Sequence, residues 1–414
     1  MKDMKSSGIE WIGEIPSDWK ICRIKELFFE VNERCSNSAE YELLSVSEYY
    51  GVAPKAERIS KEDMLTHAET LDGYKICRVG DIVMNIMLAW KRAMGVSKYE
   101  GIVSPAYCVY RAKRKINPAY FHYLFRTDVY ANLFKQFSTG IIDSRLRLYP
   151  YKFLALKCQV PPIKTQGKIT HYLDDKCSKI DALIEKQQSS IERLKEYKLS
   201  VITEAVTSRN NWKAGHLGYL ASFKNGLNYN GTSEEKEIKF LGVGDFKQHF
   251  ILNREDMFST LKFSGDMPED LLLKNGDIVF VRSNGSKELV GRSVLIDNVD
   301  FPLTYSGFCI RMRNLRQDLV LNEFLMYCFW SNDFRQNLNR DSRGSNINNL
   351  NQELLSKLWI SFPDMDEQKR IVNTLNGKCV EIENAISKKE KLITKLIEYK
   401  KSLIYEVVTG KREV

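Results

Sequence analysis

The chain has 414 residues, of which 43% are hydrophobic, 11% aromatic and 28% charged, and Lys plus Arg outnumber Asp plus Glu by 62 to 53. That composition excludes a disordered or collagen-like chain and suffices for several buried cores, while the lack of any apolar run of about eighteen residues excludes a membrane-spanning helix. A net charge of +9 is compatible with a polyanionic partner but does not identify one.

The N-terminal stretch MKDMKSSGIEWIGEIPSDWK is charged throughout and has no secretory apolar core, so a cytoplasmic location is expected. Nine cysteines (Cys22, Cys35, Cys77, Cys108, Cys158, Cys177, Cys309, Cys328, Cys379) are odd in number and scattered without a C-x-x-C pair. They read as small buried hydrophobes rather than as a zinc site or a disulfide framework.

Residues 1–155 have the texture of strands, with short apolar runs such as GDIVMNIML and IVSPAYCVY between Gly, Asn and Asp. The stretch PAYFHYLFRTDVYANLFKQF then reads as one helix. Two basic clusters fall at expected loops: Lys91 and Arg92 after Trp90 in MLAWKRAMGVS, and Ser144, Arg145 and Arg147 in GIIDSRLRLY. The tetrapeptide Asn117-Pro118-Ala119-Tyr120 is similar to the N-P-P-Y loop of amino-methyltransferases. Proline is welcome at the first position of a helix, however, so a structural role is expected there.

Residues 156–209 match 358–411 without a gap, and 20 of the 54 aligned positions are identical, including Pro161 with Pro363, Gln166 with Gln368, and Glu196-Tyr197-Lys198 with Glu398-Tyr399-Lys400. This is an internal duplication. Cys177, Ile184, Ile191, Lys198 and Ala205 share one heptad position, and Leu173, Ile180, Gln187, Leu194 and Val201 share its partner. Three–four spacing sustained over five heptads predicts a coiled-coil helix from about Gln166 to Thr207, roughly 60 Å long, with a counterpart in the second copy. Neither helix can bury its stripe alone, and the polar interruptions Gln187 and Lys389 are equivalent, so the two are expected to pair antiparallel with those midpoints in contact.

Residues 210–357 repeat the strand-like texture (DIVFVRS, RSVLID) and the helix (NEFLMYCFWSNDFRQNL). VRSNGSKELVGRS carries Arg282, Asn284, Ser286, Lys287 and Arg292, and NRDSRGSNINNL carries Arg340, Arg343, Ser345, Asn346 and Asn348. Arg and Asn fit guanine and adenine edges bidentately, while Ser and Lys suit phosphates. Each cluster could be a solvated turn, but the clusters fall at the same places in both halves, which favours nucleic-acid contact. The expected architecture is α+β: two variable globular regions and two long antiparallel helices in a pseudo-two-fold repeat.

The whole chain resembles the DNA specificity subunits of type I restriction-modification systems. The resemblance rests on GIEWIGEIPSDWK, RSNGSKELVGRS, the GSNINNLNQELL stretch ahead of FPDMDEQKRI, the matching VPPIKTQGKI, and the closing EVVTGKREV. It implies target recognition domains at 1–155 and 210–357, spacer helices at 156–209 and 358–414, and a bipartite asymmetric site in double-stranded DNA. It also implies two modification (methyltransferase) subunits and restriction (translocase/nuclease) subunits as partners, with no catalytic residue, metal or cofactor in this chain. The first region departs from the second in that GIIDSRLRLYPYKF lacks an Asn-rich stretch. No G-x-G-x-x-G follows a strand and no G-x-x-x-x-G-K-[ST] occurs, so a dinucleotide or ATP site is not expected. A stand-alone methyltransferase or nuclease, and a coiled-coil scaffold without DNA contact, are the alternatives.

Overall fold

The computed structural model describes residues 3–57, 71–228, 236–246, 250–263, 266–285, 289–341 and 349–414. It divides into two units, residues 1–186 with 391–414, and residues 187–390.

In the first unit an antiparallel sheet runs in the order Phe28–Val31, Tyr107–Ala112, Ile82–Asn85, Met94–Val96. Every residue of Ile82–Asn85 is buried, because one face packs on three helices and the other on a smaller cluster around Val46, Val83 and Val103. Those helices are α1 (Pro118–Phe125), α2 (Asp128–Phe137) and α3 (Pro150–Ala155). The stretch expected as one helix is therefore two. Thr127 breaks it: its Oγ1 donates to Leu124 O at 2.8 Å, so the hydroxyl closes one helix while its extended backbone caps the next.

The first long helix, α4, spans Ile163–Val206. In the second unit the one-turn helix α5 (Leu217–Leu220) precedes a five-stranded sheet ordered Ala221–Asn225, Cys309–Asn314, Ile278–Val281, Ser293–Ile296, Ile251–Leu252. A second sheet pairs Lys236–Leu241 antiparallel with Ser259–Phe263 and parallel with Leu303–Tyr305. Helices α6 (Asn322–Trp330), α7 (Asn332–Asp341) and α8 (Gln352–Lys357) correspond to α1–α3. Here Ser331 makes the break, donating to Cys328 O at 2.6 Å and accepting from Phe334 N at 3.2 Å. The second long helix, α9, spans Met365–Val408. The fold is α+β, as expected.

The long helices run antiparallel. In the first unit Ile169, Leu173 and Ile180 of α4 share a core with Leu403, Val407 and Val408 of α9. In the second, Ile202 and Val206 of α4 share one with Val372, Leu375 and Cys379 of α9. Lys198 and Lys400, both at apolar heptad positions, find carboxylates across the pair: Lys198 with Glu383 at 2.6 Å, Lys400 with Asp181 at 2.7 Å. These are the same pair in repeat numbering. Lys389 Nζ donates to Gln187 Oε1 at 3.1 Å, so the two polar interruptions meet as expected.

VGDIVMN at Val79 and NGDIVFV at Asn275 are alike for a structural reason. Gly80 and Gly276 turn with φ near +90° (90° and 89°), conformations that favour glycine. The next residues, Asp81 and Asp277, are buried; each carboxylate accepts a turn N–H (Arg78 at 3.0 Å, Lys274 at 2.7 Å) and a two-pronged guanidinium (Arg111, Arg313) from the neighbouring strand. Eight of the nine cysteines are buried, in keeping with a packing role.

His122 of α1 is half-buried, its Nδ1 accepting from Val96 N at 3.2 Å. Burial, with Arg126 and Lys98 nearby, lowers its pKa from 6.5 to about 3. The ring is neutral in the fold, whereas an unfolded chain takes up a proton there below pH 6.5. The stability it contributes is thus complete above pH 6.5 and is lost as the pH falls towards 3. A urea midpoint that drops between pH 7 and pH 5, with the drop reduced in His122→Gln, is the expected result.

No described helix is long and apolar enough to cross a membrane.

Candidate nucleic-acid interface

In the first unit the chain leaves strand Ile82–Asn85, makes a turn at Ala89–Lys91 and returns as Met94–Val96. Lys91 is exposed, its Nζ 5.2 Å from the centre of the Trp90 ring; Lys135 of α2 approaches the same ring at 4.8 Å. Arg92 has a left-handed backbone (φ 67°) and its guanidinium is ion-paired with Asp128 at the start of α2. Ser144, Arg145 and Arg147 are exposed on the loop between α2 and α3. That loop is closed by a reciprocal main-chain pair between Thr139 and Arg147 and floored by buried Leu146 and Leu148. Leu148 N donates to Ile86 O at 2.9 Å, which brings the loop against the turn carrying Lys91.

The second unit has the same junction. Leu350, 202 residues after Leu148, donates its N–H to Arg282 O at 2.7 Å, and Ser283 pairs with Asn349. The guanidinium of Arg282 donates to Asn349 Oδ1 at 3.3 Å and to Gly307 O at 3.4 Å. The two polar clusters, distant in sequence, are thereby joined at their bases. Asn284 and Arg292 lie on the arms of the first cluster, half-buried, and neither is without a partner; Arg292 O accepts from Val281 N at 2.8 Å. Ser286, Lys287, Arg343, Ser345, Asn346 and Asn348 lie outside the described residues, and of Arg340 only its place in α7 is described.

Sequence reasoning missed three contributors. Lys135 and Lys152 reach the first junction from α2 and α3, the latter donating to Thr139 Oγ1 at 2.8 Å. Phe308 stands 63% exposed at the second, its carbonyl accepting from Arg282 N at 2.7 Å. Only the tertiary approach of separate elements marks them. Asn117, by contrast, is taken up structurally: it caps α1 through Ala119 N, donates to Thr170 Oγ1 at 3.1 Å, and its N–H goes to Gln166 Oε1 at 2.8 Å. A flipped base would find those groups occupied.

Two exposed junctions with Arg, Lys, Ser and Asn around an apolar floor offer donors to phosphates and base edges.

The family model for the type I restriction modification DNA specificity domain matches residues 209–392. The type I restriction enzyme StySPI specificity subunit of Salmonella potsdam is 26% identical over 315 residues, 70% of this chain and 66% of that one, just under two thirds of its length. The MjaVIII specificity subunit of Methanocaldococcus jannaschii is 21% identical over 97% of this chain and 94% of its own. Among solved structures, a chain from work on complex assembly and conformational transition of a type I R-M system aligns at a TM-score of 0.72, with 13% identity, over 96% of this chain and 99% of that one. The HsdS subunit from Thermoanaerobacter tengcongensis aligns at 0.51, with 15% identity, over 96% and 98%.

Over residues 209–392 the chain is similar to the type I DNA specificity domain.

The family match contains the Arg282–Asn349 junction but not the Ile86–Leu148 junction. The solved structures align across both units, so the first unit shares their fold.

Proposed function

We propose that the chain is the specificity subunit of a type I restriction-modification complex and reads a bipartite, asymmetric sequence in double-stranded DNA. Residues 1–155 and 210–357 act as target recognition domains, one for each half-site. In the first, Lys91, Arg145, Arg147 and Ser144 are the contacting residues, with Arg92 bracing the turn. In the second they are Arg282, Asn284, Arg292, Arg340, Arg343, Asn346 and Asn348 towards bases, and Ser286, Lys287 and Ser345 towards phosphates. The single observation that carries this reading is the repeated main-chain junction, Leu148 to Ile86 and Leu350 to Arg282, which presents a polar cluster at the same point of each unit.

Adenine methylation and cleavage fall to the partner subunits, in the cytoplasm. The helical segments 156–209 and 358–414 supply the docking surface for two modification subunits. Tyr197 and Tyr399, equivalent in the two copies, are more than half exposed on α4 and α9, in keeping with one such contact per copy.

A mobility shift of the full chain with random-sequence duplex tests the reading. Binding that weakens about a thousandfold between 50 and 200 mM salt is expected for roughly six phosphate contacts. A duplex left unshifted at low salt would favour the scaffold alternative, and AdoMet binding by the isolated chain would favour the stand-alone methyltransferase.

A further inference from the structure

The loop between α2 and α3 carries two isoleucines at its tip: Ile141 is 100% exposed and Ile142 52%. Chains ordinarily hide such side chains by collapsing the loop. This one is built so that it cannot. Thr139 and Arg147 exchange main-chain hydrogen bonds at 2.9 and 3.0 Å, closing its base. Gly140 passes so close to Arg145 that an added Cβ would lie 2.6 Å from the Arg145 carbonyl oxygen. Leu146 and Leu148 are buried beneath, Lys152 of α3 bonds Thr139 at 2.8 Å, and Lys135 of α2 pairs with Asp143 at 2.9 Å. The tip is a stiff apolar projection.

Its surroundings select the occupant. Arg145 and Arg147 are exposed beside it and Lys135 and Lys152 brace it, while Asp143, the one carboxylate on the loop, is matched by Lys135. A ring of cations around an apolar point fits a polyphosphate with a stacked interior, that is, duplex DNA. In the second copy the positions 202 residues later are Arg343 and Gly344, so the Ile-Ile pair is not repeated there.

We propose that Ile141, backed by Ile142, is a wedge that enters the duplex between two adjacent base pairs and unstacks that step, while Arg145 and Arg147 hold the flanking phosphates. The proposal rests on the reading of the chain as a DNA-binding subunit and deepens it. The first half-site is then selected partly by deformability, favouring an easily unstacked pyrimidine–purine step at a fixed place. This accounts for the missing Asn-rich stretch in that half.

The test uses the full chain and a duplex that it selects from a random-sequence pool, with the fluorescent analogue 2-aminopurine placed at successive positions. One step should brighten on binding. Ile141→Ser with Ile142→Ser should abolish the brightening and weaken binding roughly tenfold, and Ile141→Leu should keep both. Since both side chains are exposed, the double variant should unfold in urea at the same midpoint. If no position brightens with the unaltered chain, or brightening survives the double change, the wedge is wrong although the chain still binds DNA. A double variant that binds and unstacks normally but no longer associates with a modification subunit would make the tip a protein contact instead. A chain that selects no duplex at all strikes the underlying reading.

Discussion

Gln368→Ala should destabilise the second unit by about 2 kcal/mol or more, since it leaves one buried and two part-buried main-chain groups short of a partner, and a fully buried one costs roughly 1–3 kcal/mol. Gln368 is fully buried at the start of α9. Its Nε2 donates to Pro363 O at 2.9 Å and Leu319 O at 2.8 Å, and its Oε1 accepts from Leu321 N at 2.9 Å. The side chain ties the entry of the long helix to the segment leading into α6. Gln166, its counterpart, makes two such bonds, to Pro161 O and from Asn117 N, both 2.8 Å, so Gln166→Ala should cost less. Urea unfolding of the two variants measures the difference; a loss under about 1 kcal/mol for Gln368→Ala would show that the joint repacks.

On the proposed function, exchanging residues 1–155 for the corresponding region of a type I specificity subunit should replace one half of the methylated target and leave the other intact. Each base pair read contributes about 1–3 kcal/mol of discrimination, so replacing several at once shifts preference by orders of magnitude. The graft must keep the apolar seam. Trp19, Tyr120 and Phe121 share a core with Ile169 and Leu173 of α4 and Leu403 and Val407 of α9, and the Tyr120 hydroxyl donates to Val408 O at 2.9 Å. Mapping methylated adenines by single-molecule sequencing reads the outcome. Alteration of both half-sites at once would mean that the regions do not read independently.

The long helices were legible because a coiled coil is written locally: apolar residues at three–four spacing, no proline inside, and a second copy whose interruptions match. Sequence placed Gln187 opposite Lys389, and the structure has them bonded. The placement of Lys198 and Lys400 in the apolar stripe was also readable, but not the carboxylates Glu383 and Asp181 that accommodate them, which come from the other helix. The break between α1 and α2 was missed because apolar periodicity runs across it. Only the hydrogen bond of the Thr127 hydroxyl to Leu124 O reveals it. Of the candidate contacts, the types and rough places of Lys91, Arg145, Arg147 and Arg282 were visible as polar clusters. The pairing of Arg92 with Asp128 was not.

By itself the sequence determined the duplication, the two amphipathic helices and their antiparallel match, because 3.6-residue periodicity and repeat identity are properties of the chain read in order. Tertiary structure alone decided that Leu148 meets Ile86 and that Asn349 meets Ser283. Those junctions depend on sheet register and on main-chain hydrogen bonds that almost every residue can make, so no side chain announces them in advance.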